Sequence, residues 1–502
     1  MSQEKQDILV VSDLHYPGSP DIEQRRGDIA HILLRKTFWR LRHMNRSIDA
    51  VILLGDLLND GDLDKSHLGE LALELEHDQD VPAIVLPGNH DDPAKVTETF
   101  GDHSGLQEIG GWGFLVFHDC YDSEDVCRRS ERDLGMPEQV AAARPDLPLI
   151  ALQHSPLHPN IVSDYPYMPE NVEKIRRSYE AAGVQLALSG HYHPGQPWHD
   201  HRGVTYCTIP ALCEAPFSFG MLHLENGTIN WEKLSLSIDV PGLSDCHCHT
   251  QSAYCGTDVD TSTNLELAGT LGVGTQAVTE HAFQLYFPAE ESWSWDWQSD
   301  LKRVRRAWTS DRHEMDNFIA LTRELQQEGT PVGLELDLLA DGRLLLARAD
   351  QPRFDFFIGA VHSITDRDVD PGNPTRVEKL FMRDTERVLD NPIDVLAHPF
   401  RFFDRIGLKK PEHLFEDVAD LLDEYGVAAE INFHGNQPPA EFVENCLERD
   451  VPLAIGTDSH NLAEVGELWP HLGLLRSVGL REEDLPNVLW TPPPPGEKST
   501  GL

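Results

Sequence analysis

The chain has 502 residues, 40% hydrophobic and 25% charged, which suits two globular domains of roughly 200–250 residues and excludes a disordered chain. Its net charge of −43 argues against nucleic acid as a partner, and eight cysteines in so long a chain do not make a disulfide scaffold. The opening MSQEKQD has no apolar signal core and the longest apolar runs are strand-length, so the expectation is a cytoplasmic protein with no membrane span.

In chain order, the first half repeats one local pattern. A short β-rich apolar run ends, and a polar residue able to hold a metal follows. Ile8–Val11 leads to Asp13 and His15, Ala50–Leu54 to Asp56, and Ala83–Leu86 to Asn89, His90 and Asp91. Leu149–Leu152 leads to His154, and Leu186–Leu188 to His191 and His193. Helical spacers are predicted over Leu68–Glu76 and Asn171–Ala182. Function gathered at the C-terminal ends of buried strands is the habit of α/β folds. Shorter strands near residues 204–209, 219–224 and 229–236 are expected to cover a sheet edge.

Ser237–Gly242 breaks the pattern, with Pro241-Gly242 as the turn signal. The rhythm then restarts. His247 and His249 come first, then Glu280-His281, Glu335, His362, His398, Glu430 and Asp458-x-His460, alternating with helical segments such as 315–327, 376–389 and 411–425. Repeated βα units of this kind predict a barrel with its ligands on the C-terminal face. The expected domains are 1–238 and 243–490, with a disordered tail over the proline- and glycine-rich residues 491–502.

The first constellation is Asp13-x-His15, Gly55-Asp56, Asn89-His90-Asp91, His154 and His191-x-His193. Carboxylate, imidazole and amide oxygen are ligands for hard to borderline divalent metals. Two such ions about 3.5–4 Å apart can clamp both oxygens of an in-line displacement at phosphorus, and Asp56 is the natural bridge between them. A lone D-x-H is explained by a capping Asp and a surface His. Five parts in order, each after an apolar run, are not. This order resembles the calcineurin-like metallophosphoesterase family, with GDLLNDG and LPGNHDD close to its signature over roughly residues 7–236. The resemblance implies a four-layer α/β/β/α sandwich. It implies one metal on Asp13, His15, Asp56 and His193, and another on Asp56, Asn89, His154 and His191. It gives His90 the leaving group or transition state, with Asp91 orienting it. QHSPLHP and the stretch 171–198 are similar to the small-molecule phosphodiesterase branch. His158, His199 and His201 fit no slot of the signature and read as surface or substrate-rim residues.

In the second constellation, His247-x-His249 sets two imidazoles on one face of a strand end. With Glu335, His281, His362, His398, Asp458 and His460 it resembles the PHP (polymerase and histidinol phosphatase) family over about residues 243–490, nearest its histidinol-phosphatase-like branch in TEHAF, FFIGAVHSI and IGTDSHNLAEVGE. The implied fold is a distorted (βα)7 barrel. His247, His249, Glu335 and Asp458 would bind a first metal, Glu335, His362 and His398 a second, and His281 and His460 a third. Where that family has His or Asp, this chain has Cys255, so either Cys255 is a soft ligand suited to Zn²⁺ or the third site is weak. Cys246 and Cys248 alternate with the histidines and read as buried core thiols. Arg401, three residues after His398, could grip phosphate oxygens or pair with a nearby acid such as Asp404. Trp293, Trp295 and Trp297 could form a lid over a substrate base or ring, or a strand packing on the neighbouring domain.

Together these readings predict a bifunctional metal-dependent phosphoesterase for small phosphorylated metabolites or nucleotides. It would use Mn, Fe or Zn, two ions in the first half and two or three in the second. The alternatives are a metal-dependent nuclease, or one catalytic domain with the other as a regulatory binding module.

Overall fold

Ile8, Leu9, Val10 and Val11 are all fully buried, although successive residues of a strand face opposite ways. The strand they form must therefore be covered on both faces. It lies in the first of two units, Met1–Ser237 and Ile238–Leu502, into which the chain divides. The computed structural model describes residues 5–19, 25–78, 81–238, 240, 242–366 and 369–497. Among the described residues no helix is long and apolar enough to cross a membrane.

The described residues of the first unit form the strands β1 (Gln6–Val11), β2 (Ala50–Leu53), β3 (Ala83–Val85), β4 (Gly105–Ile109), β5 (Trp112–Val116), β6 (Cys120–Tyr121), β7 (Cys127–Arg128), β8 (Leu149–Leu152), β9 (Leu186–Ser189), β10 (Gln196–His201), β11 (Val204–Thr208), β12 (Ser218–Glu225) and β13 (Thr228–Ser235). One sheet runs β13-β12-β1-β2-β3 and the other β10-β11-β9-β8-β5-β4. Ile8, Val10, Ile52 and Leu222 of the first sheet meet Trp112, Phe114, Ile150 and Leu188 of the second in one core. The outer face of the second sheet carries Leu115, Leu149 and Ala151 against Ile175 and Tyr179 of helix Val172–Ala182. Helices 30–43, 66–78 and 93–100 complete the four-layer α/β/β/α sandwich.

The late strands cover the sheet edges: β12 pairs antiparallel with β1 on one side and with β13, the outermost strand, on the other. β11 runs parallel to β9 inside the second sheet. The sequence reading passed over β4, β5 and β10.

In the second unit, β14 (Ser244–Asp245) pairs with β15 (Thr275–Gln276). Then β16 (Val278–His281), β17 (Val332–Asp337), β18 (Phe356–Ala360), β19 (Val395–Leu396), β20 (Ala428–Asn432) and β21 (Leu453–Gly456) form one parallel sheet in that order. The segment 245–248 reaches both ends of this sheet. Cys246 N–H donates to Ile455 C=O and Asp458 N–H to His247 C=O on one side, while Ala277 N–H donates to Asp245 C=O and Thr279 N–H to Cys248 C=O on the other. This is the curl of a distorted βα barrel. Its centre is filled by Cys246, Ala277, Phe356, Ile358, Val395 and Ala428. Cys248 is buried as well, its Sγ accepting from Ser459 Oγ at 2.9 Å. Of the tail expected to be disordered, residues 491–497 are described, and Gly496 N–H donates to Asp355. Residues 498–502 lie outside the described residues.

Candidate metal centres

In the first unit the candidate ligands follow the C-terminal ends of β1, β2, β3, β8 and β9, so parallel pairing brings five loops to one rim. The loops are tied to one another by backbone. Asp13 N–H donates to Gly55 C=O at 3.1 Å, and Leu14 and His15 N–H both donate to Asp56 C=O at 2.9 Å. Gly88 is needed for closeness, since a Cβ there would lie 2.1 Å from Asp56 Oδ1.

The side chains converge. Asp56 Oδ2 lies 3.2 Å from His154 Nε2 and 3.6 Å from His15 Nε2. His193 Nε2 is 3.5 Å from Asp13 Oδ1 and 3.1 Å from His15 Nε2, and His154 Nε2 is 3.2 Å from Asn89 Oδ1. Asp13, His15 and His193 form one group whose ligand atoms lie within 4.8 Å of one another, and Asp56, His154 and His191 form another. Ligands about 2.0–2.2 Å from an ion are separated by roughly 3.0–3.5 Å, so these spacings are those of a coordination shell. Two of the far ring nitrogens are spoken for: His193 Nδ1 faces Glu214 at 2.5 Å and His154 Nδ1 faces Leu54 C=O at 2.6 Å. His191 Nε2, in contrast, is buried without a hydrogen-bond partner.

Electrostatics favour a cation here. Burial would raise Asp56, but His154 and His15 beside it hold it well below the usual carboxylate range. Burial depresses His15 strongly and takes His191 down to about 3, leaving neutral imidazoles ready to donate lone pairs. His154 goes the other way: burial opposes its charge, yet Asp56 lifts it to about 9. An ionised carboxylate among buried imidazoles, one of them holding a proton where an ion could sit, is a donor set fitted to divalent metals.

His90 packs edge-on against His15 with ring centroids 4.8 Å apart, and its backbone N–H donates to Asp56 Oδ1 at 3.0 Å. The expectation that Asp91 orients this ring is not what the geometry gives. His90 Nδ1 faces Asn59 C=O at 2.8 Å, while the Asp91 carboxylate accepts from the N–H groups of Leu57, Leu58 and Gly88. Asp91 thus fastens the loop after β3 to the loop after β2. Burial and the Asp56 charge push its carboxyl up to about 6.

In the second unit Glu335, at the end of β17 and fully buried, is the hub. Its Oε1 lies 2.8 Å from His398 Nε2 and 3.2 Å from His362 Nε2. Its Oε2 lies 2.5 Å from His281 Nδ1 and 3.5 Å from His247 Nε2. Asp458 Oδ1 is 2.9 Å from His249 Nε2 and 3.5 Å from His247 Nε2. His249, His281 and His460 form a further group within 4.8 Å. Burial would neutralise Glu335, but His362, His281 and His247 hold it well below its usual range. Glu335 Oε2, His247 Nε2, His249 Nδ1 and His281 Nδ1 are buried without hydrogen-bond partners, as expected of atoms aimed at an ion.

The rim of this centre is a cavity of about 230 Å³ shared by Cys255, His281, Phe283, Trp293, His362, Arg401, Arg405, His434 and His460. Cys255 Sγ accepts from Gln284 Nε2 at 3.2 Å, and burial pushes its thiol up to about 12. Arg401 does not pair with Asp404, which instead meets Lys410 at 2.7 Å. Its guanidinium lies 2.5 Å from Asp458 Oδ2 and 3.1 Å from His362 Nε2. Trp293 lines the cavity, Trp295 stands 5.9 Å from the His362 ring, and Trp297 is buried with its indole N–H on Ser292 C=O.

The sequence reading gave none of the imidazoles its orienting group: Glu430 was named only in the series of strand ends, and Glu214 and Asp337 were not named. Glu214 holds His193, Glu430 holds His247 Nδ1 at 2.8 Å, and Asp337 holds His362 Nδ1 at 2.9 Å. Asp337 ends the strand that carries Glu335, and Glu430 lies within β20 two residues before its end, a signal that could have given them a role.

The profile of the calcineurin-like phosphoesterase family matches residues 7–195, and that of the PHP domain matches residues 245–434. A probable cyclic nucleotide phosphodiesterase of Synechococcus is 28% identical over 248 residues, covering 48% of this chain and 91% of that relative. A second protein of that description, from Vesicomyosocius okutanii, is 25% identical over 190 residues, 37% of this chain and 78% of its own length. Among solved structures, a dimetal phosphatase of Danio rerio aligns with 15% identity and a TM-score of 0.37 over 46% of this chain and 99% of that one. The yellow lupin purple acid phosphatase PPD1 aligns with 14% identity and a TM-score of 0.36 over 47% of this chain and 52% of that one. One chain therefore joins a calcineurin-like phosphoesterase domain to a PHP domain, and it is a metal-dependent phosphoric ester hydrolase.

Proposed function

We propose that the chain is a bifunctional phosphoesterase for small phosphorylated metabolites or nucleotides, cleaving a diester in its first unit and a monoester in its second. The observation that carries this reading is the presence, in one chain, of two separate buried clusters of ionised carboxylate and imidazole at ligand spacing. The names of the two relatives that match the first unit support a cyclic nucleotide as the diester. Water adds to phosphorus and one ester oxygen leaves, so a cyclic diester becomes a monoester on the same molecule. A second water then releases the alcohol and inorganic phosphate.

Asp13, His15, Asp56 and His193 would hold one ion, and Asp56, Asn89, His154 and His191 a second. His247, His249, Glu335 and Asp458 would hold a third, and Glu335, His362 and His398 a fourth. His281 and His460 would form a fifth site, with Cys255 completing it for a thiophilic ion. Bound Mn²⁺, Fe²⁺ or Zn²⁺ supplies Lewis acidity at phosphoryl oxygen and acidifies water. The chain's own groups do the rest. His90 is fixed by Nδ1 on Asn59 C=O, which leaves Nε2 to carry a proton to the departing oxygen. Asp91 keeps the two loops of that site together. Arg401, held by Asp458 at the rim of the second cavity, grips the phosphate of a monoester bidentately.

The test is hydrolysis of an aryl phosphodiester and an aryl phosphomonoester by wild type, Asp56→Asn and His249→Ala, each reconstituted with Mn²⁺. Asp56→Asn should abolish diester cleavage alone, and His249→Ala monoester cleavage alone. If one substitution abolishes both activities and the other neither, one unit is not a catalyst and the two-step reading falls.

A further inference from the structure

Three histidines that belong to neither signature stand together on the first unit. His199 and His201 are alternate residues of β10, so they share a face, and β11 pairs Tyr206 with His199 and Val204 with His201. His158 comes from the loop after β8, four residues beyond His154. Its ring stacks on His199 with centroids 4.3 Å apart and planes 17° from parallel, and lies 4.5 Å from the His201 ring. Each of the three offers a ring nitrogen within 4.8 Å of the other two. Nδ1 of His158 is buried and has no hydrogen-bond partner.

The loop that brings His158 here is braced on both sides. Arg176 Nε donates to Leu157 C=O at 2.8 Å and Arg176 Nη2 to Asn160 Oδ1 at 2.7 Å, while Glu173 balances its charge. Gln196, at the start of β10, donates to Pro159 C=O at 3.2 Å. Two segments distant in sequence are thus set face to face.

We propose that His158, His199 and His201 form a separate site for one borderline transition-metal ion of the Zn²⁺ or Co²⁺ class, clipping the loop after β8 to the β10–β11 hairpin. Three imidazoles and a water complete a tetrahedral shell, and small ring rotations bring nitrogens from within 4.8 Å to the roughly 3.3–3.4 Å that Zn–N distances of about 2.0–2.1 Å require. With no carboxylate among its three ligands, the site selects Zn²⁺, Co²⁺, Ni²⁺ or Cu²⁺ over Mn²⁺ and Mg²⁺.

The test uses the full-length chain, loaded first with Mn²⁺ and then with Zn²⁺, desalted, and analysed for total metal by mass spectrometry. Wild type should retain one ion per chain more than His199→Asn/His201→Asn, while unfolding of the two proteins in chelator stays the same. Independently, carbethoxylation of His158, His199 and His201 in wild type, mapped by peptide mass spectrometry, should fall roughly tenfold at a Zn²⁺ concentration about ten times the Kd, and should not respond to Mn²⁺. Equal metal content in the two folded proteins overturns the proposal. So does labelling that ignores Zn²⁺, and that readout stands even if the double variant fails to fold.

Discussion

Glu430→Gln tests how the second metal centre is aimed. Glu430 is 3% exposed, and its two oxygens serve different partners. Oε1 faces His247 Nδ1 at 2.8 Å and accepts from Asn432 at 3.2 Å, while Oε2 accepts the His398 backbone N–H at 2.6 Å. Gly456 leaves the room for it, since a Cβ there would lie 2.0 Å from Oε1. Glutamine keeps the shape but has one oxygen and one NH₂. If the oxygen stays on His247, the NH₂ meets the His398 N–H, donor against donor. If it turns to His398, the NH₂ faces His247 Nδ1, and that nitrogen must accept. The ring proton then moves to Nε2, the atom pointed at Glu335 and Asp458, and His247 can no longer be a ligand. Either way a buried charge-assisted hydrogen bond is lost, about 1.5–3 kcal/mol. Groups that orient a ligand cost roughly 10–100-fold in metal affinity or activity when changed. The assay is monoester kcat/KM across a Mn²⁺ titration. The half-saturating Mn²⁺ should rise by that factor, with diester cleavage in the same sample as an unaffected control. An unchanged half-saturation would refute the reasoning, and an equal fall in diester cleavage would refute its locality.

Arg129 is 1% exposed, bidentate to Asp119 at 2.8 and 2.7 Å, bonded to Tyr179 at 2.6 Å and stacked 3.7 Å over Phe117. Arg129→Met leaves Asp119 buried and unpaired, so calorimetry should show the first unit destabilised by about 3–5 kcal/mol, with Asp119→Leu in the same chain recovering part of the loss. Gly88→Ala should abolish diester cleavage while sparing the monoester, because the new Cβ would strike Asp56 Oδ1 and displace that carboxylate from the cluster. Chelation should lower both unfolding midpoints, and Mn²⁺ at about a thousand times its Kd should restore roughly 4 kcal/mol to each unit, read as a thermal shift. Metal affinity, followed by titration, should rise between pH 6 and 9. His154 and His249 are both held near 9, above the 6.5 of a free imidazole, so below pH 9 each carries a proton that the ion must displace.

The candidate ligands were legible because each follows a buried run of its own, and parallel strands deliver run-ends to one rim whatever lies between them. The D-x-H and G-H-x-H pieces carry their meaning in spacing alone. Glu214, which faces His193, was not legible: it follows β11 and has no fixed spacing to its partner. β4 and β5 were passed over for a related reason. All of β5 is buried while β4 is half-exposed, so the hairpin shows no clean alternation. His158, His199 and His201 were read as surface or substrate-rim residues, and the fold joins residues 41 and 43 positions apart.

One feature of both centres lies below anything a motif records. Asp13, His15 and Asp56 in the first unit have φ of 55°, 50° and 51°, and His191 has 67°. In the second unit His398 has 30° and Asp458 has 53°. All six are in the left-handed region, where an L-residue other than glycine costs about 1 kcal/mol or more. Aspartate and histidine are among the residues that tolerate it best. The cost has a geometric return. A ligand that kept β geometry would carry the strand onward and leave its side chain alternating with its neighbours across the sheet. One left-handed residue turns the chain back at the strand end and points the carboxylate or imidazole inward, where five loops converge. The same residue types that bind divalent ions are those able to make that turn, so the chemistry of the ligand and the shape of the loop select the same amino acids.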